Sequence, residues 1–311
     1  MPSNKVRDII FYNILDQMRQ GKDFFVVNAD FVGRPFIDIK KDFPQRFVQV
    51  GIAEQNMVAI ASGLALAGKR VVTFSPNPFV YLRAYDQLRN AVSAMNLSVT
   101  IVANGMGLVN PGLGVTHFTT EDYQMISLLP NMEFFTVTDE RMAERVASYL
   151  VKKEKGPAYV CIDFDCDGFL PEVDCKFEEG FRYLRRGSNV LLIAQGYPAK
   201  IAAEMTYSGI GPAILEIFRR PFDMVSLLAE MKKYERVIVC EEHQLRGGLA
   251  SELLERLNDI GAGIHLERSG INYKSGLPHW FGSREYWMKE YGIDQVNLRN
   301  RVDEDGSLRP V

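Results

Sequence analysis

The sequence predicts an α/β protein of two layered domains, and three observations carry that prediction. Short apolar, β-rich runs alternate with helical patterns along most of the chain, as strands and their covering helices do. The strands read as continuous apolar stretches, as in Val99-Thr100-Ile101-Val102-Ala103, which suits a parallel sheet covered on both faces. The rhythm breaks once, after Asp165, and resumes at Ser188. With 311 residues, 47% of them hydrophobic, the chain holds apolar material for two cores and excludes disorder as its main state.

The first expected domain covers residues 1–165. Its strands are Phe24–Val27, Phe47–Val50, Arg70–Phe74, Ser98–Ala103, Phe134–Val137 and Tyr159–Asp163. Its helices are Lys5–Arg19, Ala53–Ala67, Val80–Ala94, Glu121–Leu128 and Glu140–Lys152. Residues 166–187 carry Asp167-Gly168, Pro171 and mixed charge without a helical period, and read as a linker. The second domain, 188–311, resumes with strands at Asn189–Ala194, Ala213–Phe218, Arg236–Cys240 and Gly263–Glu267. Helices are expected at Pro198–Met205, Asp223–Lys233, Gly248–Leu257 and Ser283–Tyr291, with a charged tail after Leu298.

Charge and cysteine usage narrow the function. A net charge of −3 with no long basic block argues against nucleic-acid binding. No apolar run reaches the ~18–20 residues that span a bilayer. The opening Met1-Pro2-Ser3-Asn4-Lys5 runs into an amphipathic pattern and not a signal-peptide core, so the cytoplasm is the expected compartment. Cys161, Cys166, Cys175 and Cys240 form no C-x-x-C pair, and of the four histidines only His243 falls near any of them; neither a zinc site nor a disulfide framework is expected. Cys161 and Cys240 sit inside apolar runs and read as buried thiols. Asp163-Phe164-Asp165-Cys166-Asp167-Gly168 matches the opening of a calcium loop, with Asp174 at its twelfth place. A strand precedes it, however, the twelfth residue is not Glu, and Pro171 occupies the ninth position. The segment reads as a solvated acidic linker, and no metal site is expected on this chain.

The segment from Gly51 to Gly68 contains a single charge, Glu54. On a helix Glu54 shares its face with Val58, Ala61 and Ala65, which pack closely and leave the carboxylate short of water. Such a group must find a partner or take up a proton. The alternative is a first-turn glutamate favoured by the helix dipole and partly exposed.

Gly51-Ile52-Ala53-Glu54-Gln55-Asn56-Met57, followed by its Ala/Gly-rich helix, resembles the pyrimidine-binding domain of transketolase and of 1-deoxyxylulose-5-phosphate synthase. The resemblance continues through Arg83-Ala84-Tyr85-Asp86-Gln87-Leu88-Arg89, Gly114-Val115-Thr116-His117, Leu129-Pro130-Asn131-Met132 and Thr138-Asp139-Glu140. Cys240-Glu241-Glu242-His243, Gly247-Gly248-Leu249 and Arg268-Ser269-Gly270 resemble the family's C-terminal domain. The resemblance implies thiamine diphosphate as cofactor, with Glu54 bonded to its aminopyrimidine. A carboxyl at the ring nitrogen favours the imino tautomer, whose nitrogen removes the thiazolium proton. It also implies an aromatic stack on the pyrimidine, for which spacing back from Arg83 favours Phe79, with Phe74 and Tyr81 as alternates. The alternative for Phe79 is a place in the core. Asp30 joins the implied cofactor contacts. His117, in a glycine-rich loop, is implied to line the substrate funnel, against a structural loop histidine. Arg7 matches an early phosphate-contacting arginine, and Arg34 is a second candidate substrate contact. His243 reads as C-terminal-domain architecture, and His265 and His279 carry no functional case.

The Gly-Asp-Gly motif with which the family holds magnesium and diphosphate is missing. The resemblance therefore implies a partner: an N-terminal, diphosphate-binding subunit that holds most of the Mg2+ contacts, in an α2β2 assembly. The family's substrate residues also change here, with Leu113, Val115, Asn104 and Asp163-Phe164-Asp165 at the matching places. Two acids where a phosphate clamp belongs predict an acceptor without a terminal phosphate, unless Arg7 and Arg34 rebuild the clamp. The expected activity is transfer of a two-carbon ketol unit from a ketose to an aldehyde. The rivals are decarboxylative acyl transfer, as in 1-deoxyxylulose-5-phosphate synthase or 2-oxo-acid dehydrogenase β subunits, and a non-catalytic regulatory subunit.

Overall fold

The computed structural model describes residues 5–207, 209–273 and 281–303, arranged as two compact units. His279 and the Asp305-Gly306 pair lie outside the described residues.

The first unit comprises residues up to Val109, Thr116–Phe169 and Arg219–Pro221. Its strands are β1 (Phe24–Asn28), β2 (Phe47–Gln49), β3 (Arg70–Pro76), β4 (Val99–Asn104), β5 (Glu133–Val137) and β6 (Ala158–Ile162). They form a parallel sheet in the order β5-β6-β4-β3-β1-β2, with the short strand β11 (Arg219–Arg220) added antiparallel outside β5. Helices α1 (Lys5–Arg19), α2 (Arg34–Asp42), α3 (Glu54–Leu66), α4 (Tyr85–Gln87), α5 (Asp122–Ser127) and α6 (Glu140–Lys152) complete the unit. In α1, Val6, Ile10, Phe11, Ile14, Leu15 and Met18 recur at helical spacing and are buried, packing the helix against α6 and α2. Asp139 caps α6 by accepting from the Met142 amide, and Met142, Val146 and Leu150 bury its inner stripe.

The second unit holds the antiparallel strands β7 (Asp174–Lys176) and β8 (Phe181–Arg185). The parallel strands β9 (Val190–Ala194), β10 (Ala213–Ile217), β12 (Arg236–Gln244) and β13 (Leu266–Ile271) complete its sheet. The sheet order is β13-β12-β9-β10-β8-β7. Its helices are α7 (Tyr197–Glu204), α8 (Met224–Met231), α9 (Leu249–Asp259), α10 (Arg284–Glu290) and α11 (Gln295–Asp303).

Four expectations need correction. The segment 166–187 is no linker throughout, because β7 and β8 extend the second sheet. Strand β8 is buried along most of its length, and a charge in its interior disguises it: Arg182 is fully buried, with Nε 2.6 Å from Glu216 and Nη1 3.1 Å from Glu172. Helix α2 is an addition to the expected elements; it is short, and its inner face rests on Pro35, Phe36 and Ile39. The expected strand Gly263–Glu267 lies further on, at Leu266–Ile271. Residues after Leu298 continue helix α11 to Asp303 and bury Val302. Cys161 and Cys240 are buried free thiols, as expected, and burial pushes both thiol pKa values upward.

Glu133 fastens the outer edge of the first sheet. It accepts from Tyr149 at 2.7 Å, from Arg219 at 2.7 Å and from Lys153 at 2.7 Å. Burial alone would raise its pKa, but the hydrogen bonds from Lys153, Tyr149 and Arg219 outweigh that and hold it below the ordinary value. A depressed carboxylate stabilises the fold above its unfolded pKa, and the gain is lost as pH falls through the folded one. Glu133→Gln is expected to cost about 1–3 kcal/mol at pH 7 in denaturant melts. The difference from wild type should shrink below about pH 4.5.

Candidate active site

The candidate residues of the first unit gather where its parallel strands end. Asp30 and Arg34 follow the carboxyl end of β1, Glu54 that of β2, Phe79 that of β3 and His117 that of β4. In a parallel sheet this edge is where successive loops converge around a ligand.

Glu54 opens α3 and is 1% exposed. Its demand for a partner is met by Arg83, whose Nη1 lies 2.6 Å from Glu54 Oε2 while its side chain stays 46% exposed. The Gln55 side-chain amide donates to the Arg83 carbonyl at 3.0 Å and pins that backbone to α3. Phe79–Arg83 forms a π-helical turn, followed by α4 and a second π-helical stretch, Leu88–Ser93. The continuous helix expected at Val80–Ala94 is thus interrupted, and the widened turn brings residue 83 back over residue 79. The guanidinium carbon of Arg83 sits 4.7 Å from the Phe79 ring centroid. The His117 imidazole meets the same ring edge-on, with centroids 5.1 Å apart and planes at 78°.

Phe79 is half-buried, whereas Phe74 and Tyr81, its sequence alternates, are fully buried in other surroundings. Phe74 packs among Phe11, Phe31 and Phe36, at 5.5, 5.1 and 5.1 Å. Tyr81 donates to Glu121 at 3.0 Å and thereby steadies the loop after His117. Both therefore drop out as ring-stacking residues. Asp30 is exposed, and Arg34 is 76% exposed with its Nε 3.3 Å from Asp38. Arg7 is buried and paired with Asp8 at 2.6 Å. Its guanidinium passes beneath Gly33, where a β-carbon would fall 2.9 Å from it, so any larger residue there would push the end of the arginine aside.

Two acids of the acidic loop bond to backbone amides. Asp163 is fully buried and caps a turn by accepting from the Asp165 amide at 3.0 Å, and Asp167 accepts from the Lys5 amide at 3.0 Å. Among the described residues no cluster of three or more His, Cys, Asp or Glu side chains is placed to hold a metal. In the second unit, Glu241 accepts from the Leu249 and Ala250 amides and from His243 Nδ1 at 3.2 Å, seating α9. His243 is architectural in this setting.

Sequence reasoning finds Arg83 only as part of a motif, and misses Asn77. That side chain is fully buried between two prolines. Its Nδ2 donates to the Gly105 carbonyl at 2.8 Å and to Asp122 at 2.7 Å, while its Oδ1 accepts from the Tyr159 hydroxyl at 2.6 Å. A polar residue flanked by Pro76 and Pro78 just past a strand is the available signal.

The transketolase pyrimidine-binding domain matches residues 7–163, and the transketolase C-terminal domain matches residues 180–278. The chain belongs to the transketolase family. It is 31% identical to an apulose-4-phosphate transketolase subunit of Actinobacillus succinogenes, over 94% of this chain and 95% of that one. It is 32% identical to the 1-deoxy-D-xylulose-5-phosphate synthase of Halothermothrix orenii, over 82% of this chain but only 41% of that enzyme. Among solved structures, a split-gene transketolase described as an inactive beta4 tetramer superposes with a TM-score of 0.77 at 26% identity, covering 96% of each chain. Among the described residues of this transketolase-family chain, no helix is long and apolar enough to cross a membrane.

Burial lowers the pKa of His117 from its ordinary 6.5. Burial thus disfavours the charged imidazole relative to an exposed histidine. An NMR titration of the ring should give a midpoint below 6.5, and Phe79→Ala, which opens the site to water, should move that midpoint upward.

Proposed function

We propose that this chain is the C-terminal subunit of a thiamine diphosphate-dependent ketol transferase. The observation that carries the reading is the convergence of a buried carboxylate, a half-exposed aromatic ring and a half-buried imidazole at the carboxyl edge of one parallel sheet. These residues fit the aminopyrimidine end of the cofactor: Glu54 offers a desolvated carboxylate, and Phe79 an aromatic face beside it. When bound, thiamine diphosphate supplies a carbon nucleophile and an electron sink. Glu54 would hold the proton shared with the pyrimidine ring nitrogen, Phe79 would present its face to the ring, and Asp30, exposed after β1, would be a further contact. His117, whose neutral form burial favours, exchanges a proton with a hydroxyl or carbonyl of the sugar.

Mg2+ and the diphosphate fall to a second, N-terminal subunit, because this sequence lacks Gly-Asp-Gly. An α2β2 cytoplasmic enzyme is the assembly we infer. The Actinobacillus relative, itself a transketolase subunit of nearly this chain's length, and the split-gene structure support a two-chain organisation. The substrate class we favour, for donor and acceptor alike, is a sugar phosphate, which departs from the expectation of an acceptor without a terminal phosphate. Asp163 is buried and accepts a turn hydrogen bond, which leaves Asp165 as the exposed acid of the triplet, and Arg34 stands exposed at the same sheet edge. The likeness to 1-deoxy-D-xylulose-5-phosphate synthase favours one second reading, decarboxylative transfer from pyruvate.

The test is reconstitution with an N-terminal transketolase subunit. Ketol transfer between ketose and aldose phosphates is expected from the complex and not from either chain alone. Turnover of pyruvate in place of a ketose would select the second reading, and absence of cofactor binding by the complex would support a regulatory subunit. Glu54→Gln should assemble normally yet lower turnover by a factor on the order of 10²–10⁴, the scale of a lost general acid–base group. Unchanged turnover would remove Glu54 from the mechanism.

A further inference from the structure

Arg83 makes both contacts that a bound aminopyrimidine would need. Its N–H edge faces Glu54 Oε2 at 2.6 Å, and its guanidinium lies over the Phe79 ring at 4.7 Å. A guanidinium is flat, delocalised and rich in N–H donors, and so shares the plane and the donor edge of an aminopyrimidine. We propose that Arg83 is an internal stand-in for the cofactor's pyrimidine, occupying the carboxylate and the aromatic face until the ring displaces it. The inference rests on the cofactor reading given above and adds what the incoming ring must compete with.

The geometry supports exchange over permanent occupancy. A carboxylate as buried as Glu54 is costly without a partner, so whatever leaves it must be replaced. The Arg83 side chain is 46% exposed and has water to retreat into, whereas its backbone is held by Gln55 and by the π-helical turn. Leaving therefore requires only side-chain rotation. Arg83 bonds Glu54 through Oε2 and covers one face of Phe79, so ring and arginine compete for the same acceptor and the same face.

The experiment measures thiamine diphosphate binding, with Mg2+, to the reconstituted complex by quenching of intrinsic fluorescence, for wild type, Arg83→Ala, Arg83→Gln and Glu54→Gln. Removing a half-exposed ion pair and its cation–π contact is expected to tighten binding roughly 3- to 30-fold in Arg83→Ala. Arg83→Gln keeps much of the side chain's bulk and should lie between Arg83→Ala and wild type, which guards against a packing defect in the alanine variant. Glu54→Gln should weaken binding. If both Arg83 variants bind as wild type does, or more weakly, while Glu54→Gln still weakens binding, the stand-in role is overturned and the cofactor reading survives. If Glu54→Gln has no effect, or wild type does not bind, the cofactor reading fails and the stand-in role with it.

Discussion

The amide of Asn77 is the fixed point of the first unit. One buried side chain satisfies the Gly105 carbonyl, the Asp122 carboxylate and the Tyr159 hydroxyl, and so joins the ends of β3 and β4, the body of β6 and the start of α5. In a low-dielectric interior such a network is stiff, because breaking one bond orphans a polar group that water cannot reach. Phe79 lies two residues beyond this node, and His117 five residues before Asp122. The aromatic ring and the imidazole, 5.1 Å apart, flank it. Thr119 repeats the device at smaller scale, its hydroxyl donating to the Gly105 and Gly107 carbonyls at 3.2 and 3.1 Å.

A parallel sheet imposes the rest. Every crossover returns the chain to the same end, so residues remote in sequence gather at one edge with no long-range pairing of their own. Glu54 uses the edge differently from its neighbours. It begins a helix whose inner face is Met57, Val58 and Ala61, and its burial comes from that small, close-packed face. The loop residues around it remain half in solvent.

Much of this is legible in the sequence. The parallel strands of the first unit are largely apolar runs, and each lies within a residue or two of its expected place, whereas β11 is an addition to the expected elements. Glu54 stands out because it is one charge in an otherwise uncharged stretch, and His117 because it follows clustered glycines. What stays hidden shares a physical cause: polar side chains that satisfy one another in the folded state. Arg182 looks like a linker charge because Glu216, one of the two acids that neutralise it, lies 34 residues away, and Glu172 sits in the same mixed-charge stretch. Asp163 looks like an exposed acid because its turn-capping role depends on a local backbone geometry. The π-helical turn at Phe79–Arg83 is invisible because a hydrophobic period of 3.6 assumes a regular helix. For the same reason the choice among Phe74, Phe79 and Tyr81 needs the folded chain.

The strand Arg219–Arg220 changes how this chain can be taken apart. The first unit is discontinuous: its edge strand comes from beyond residue 170, and Arg219 also supplies one of the cations on Glu133. A fragment ending near Phe169 would keep every parallel strand of its sheet yet leave β5 with a bare row of backbone donors and acceptors, beside a glutamate stripped of its arginine. Bare edges of that kind recruit other chains. A boundary drawn from domain matches alone, at the gap between residues 163 and 180, would thus yield a sticky half, and shuffling such halves between relatives means carrying the 219–221 segment along with the first.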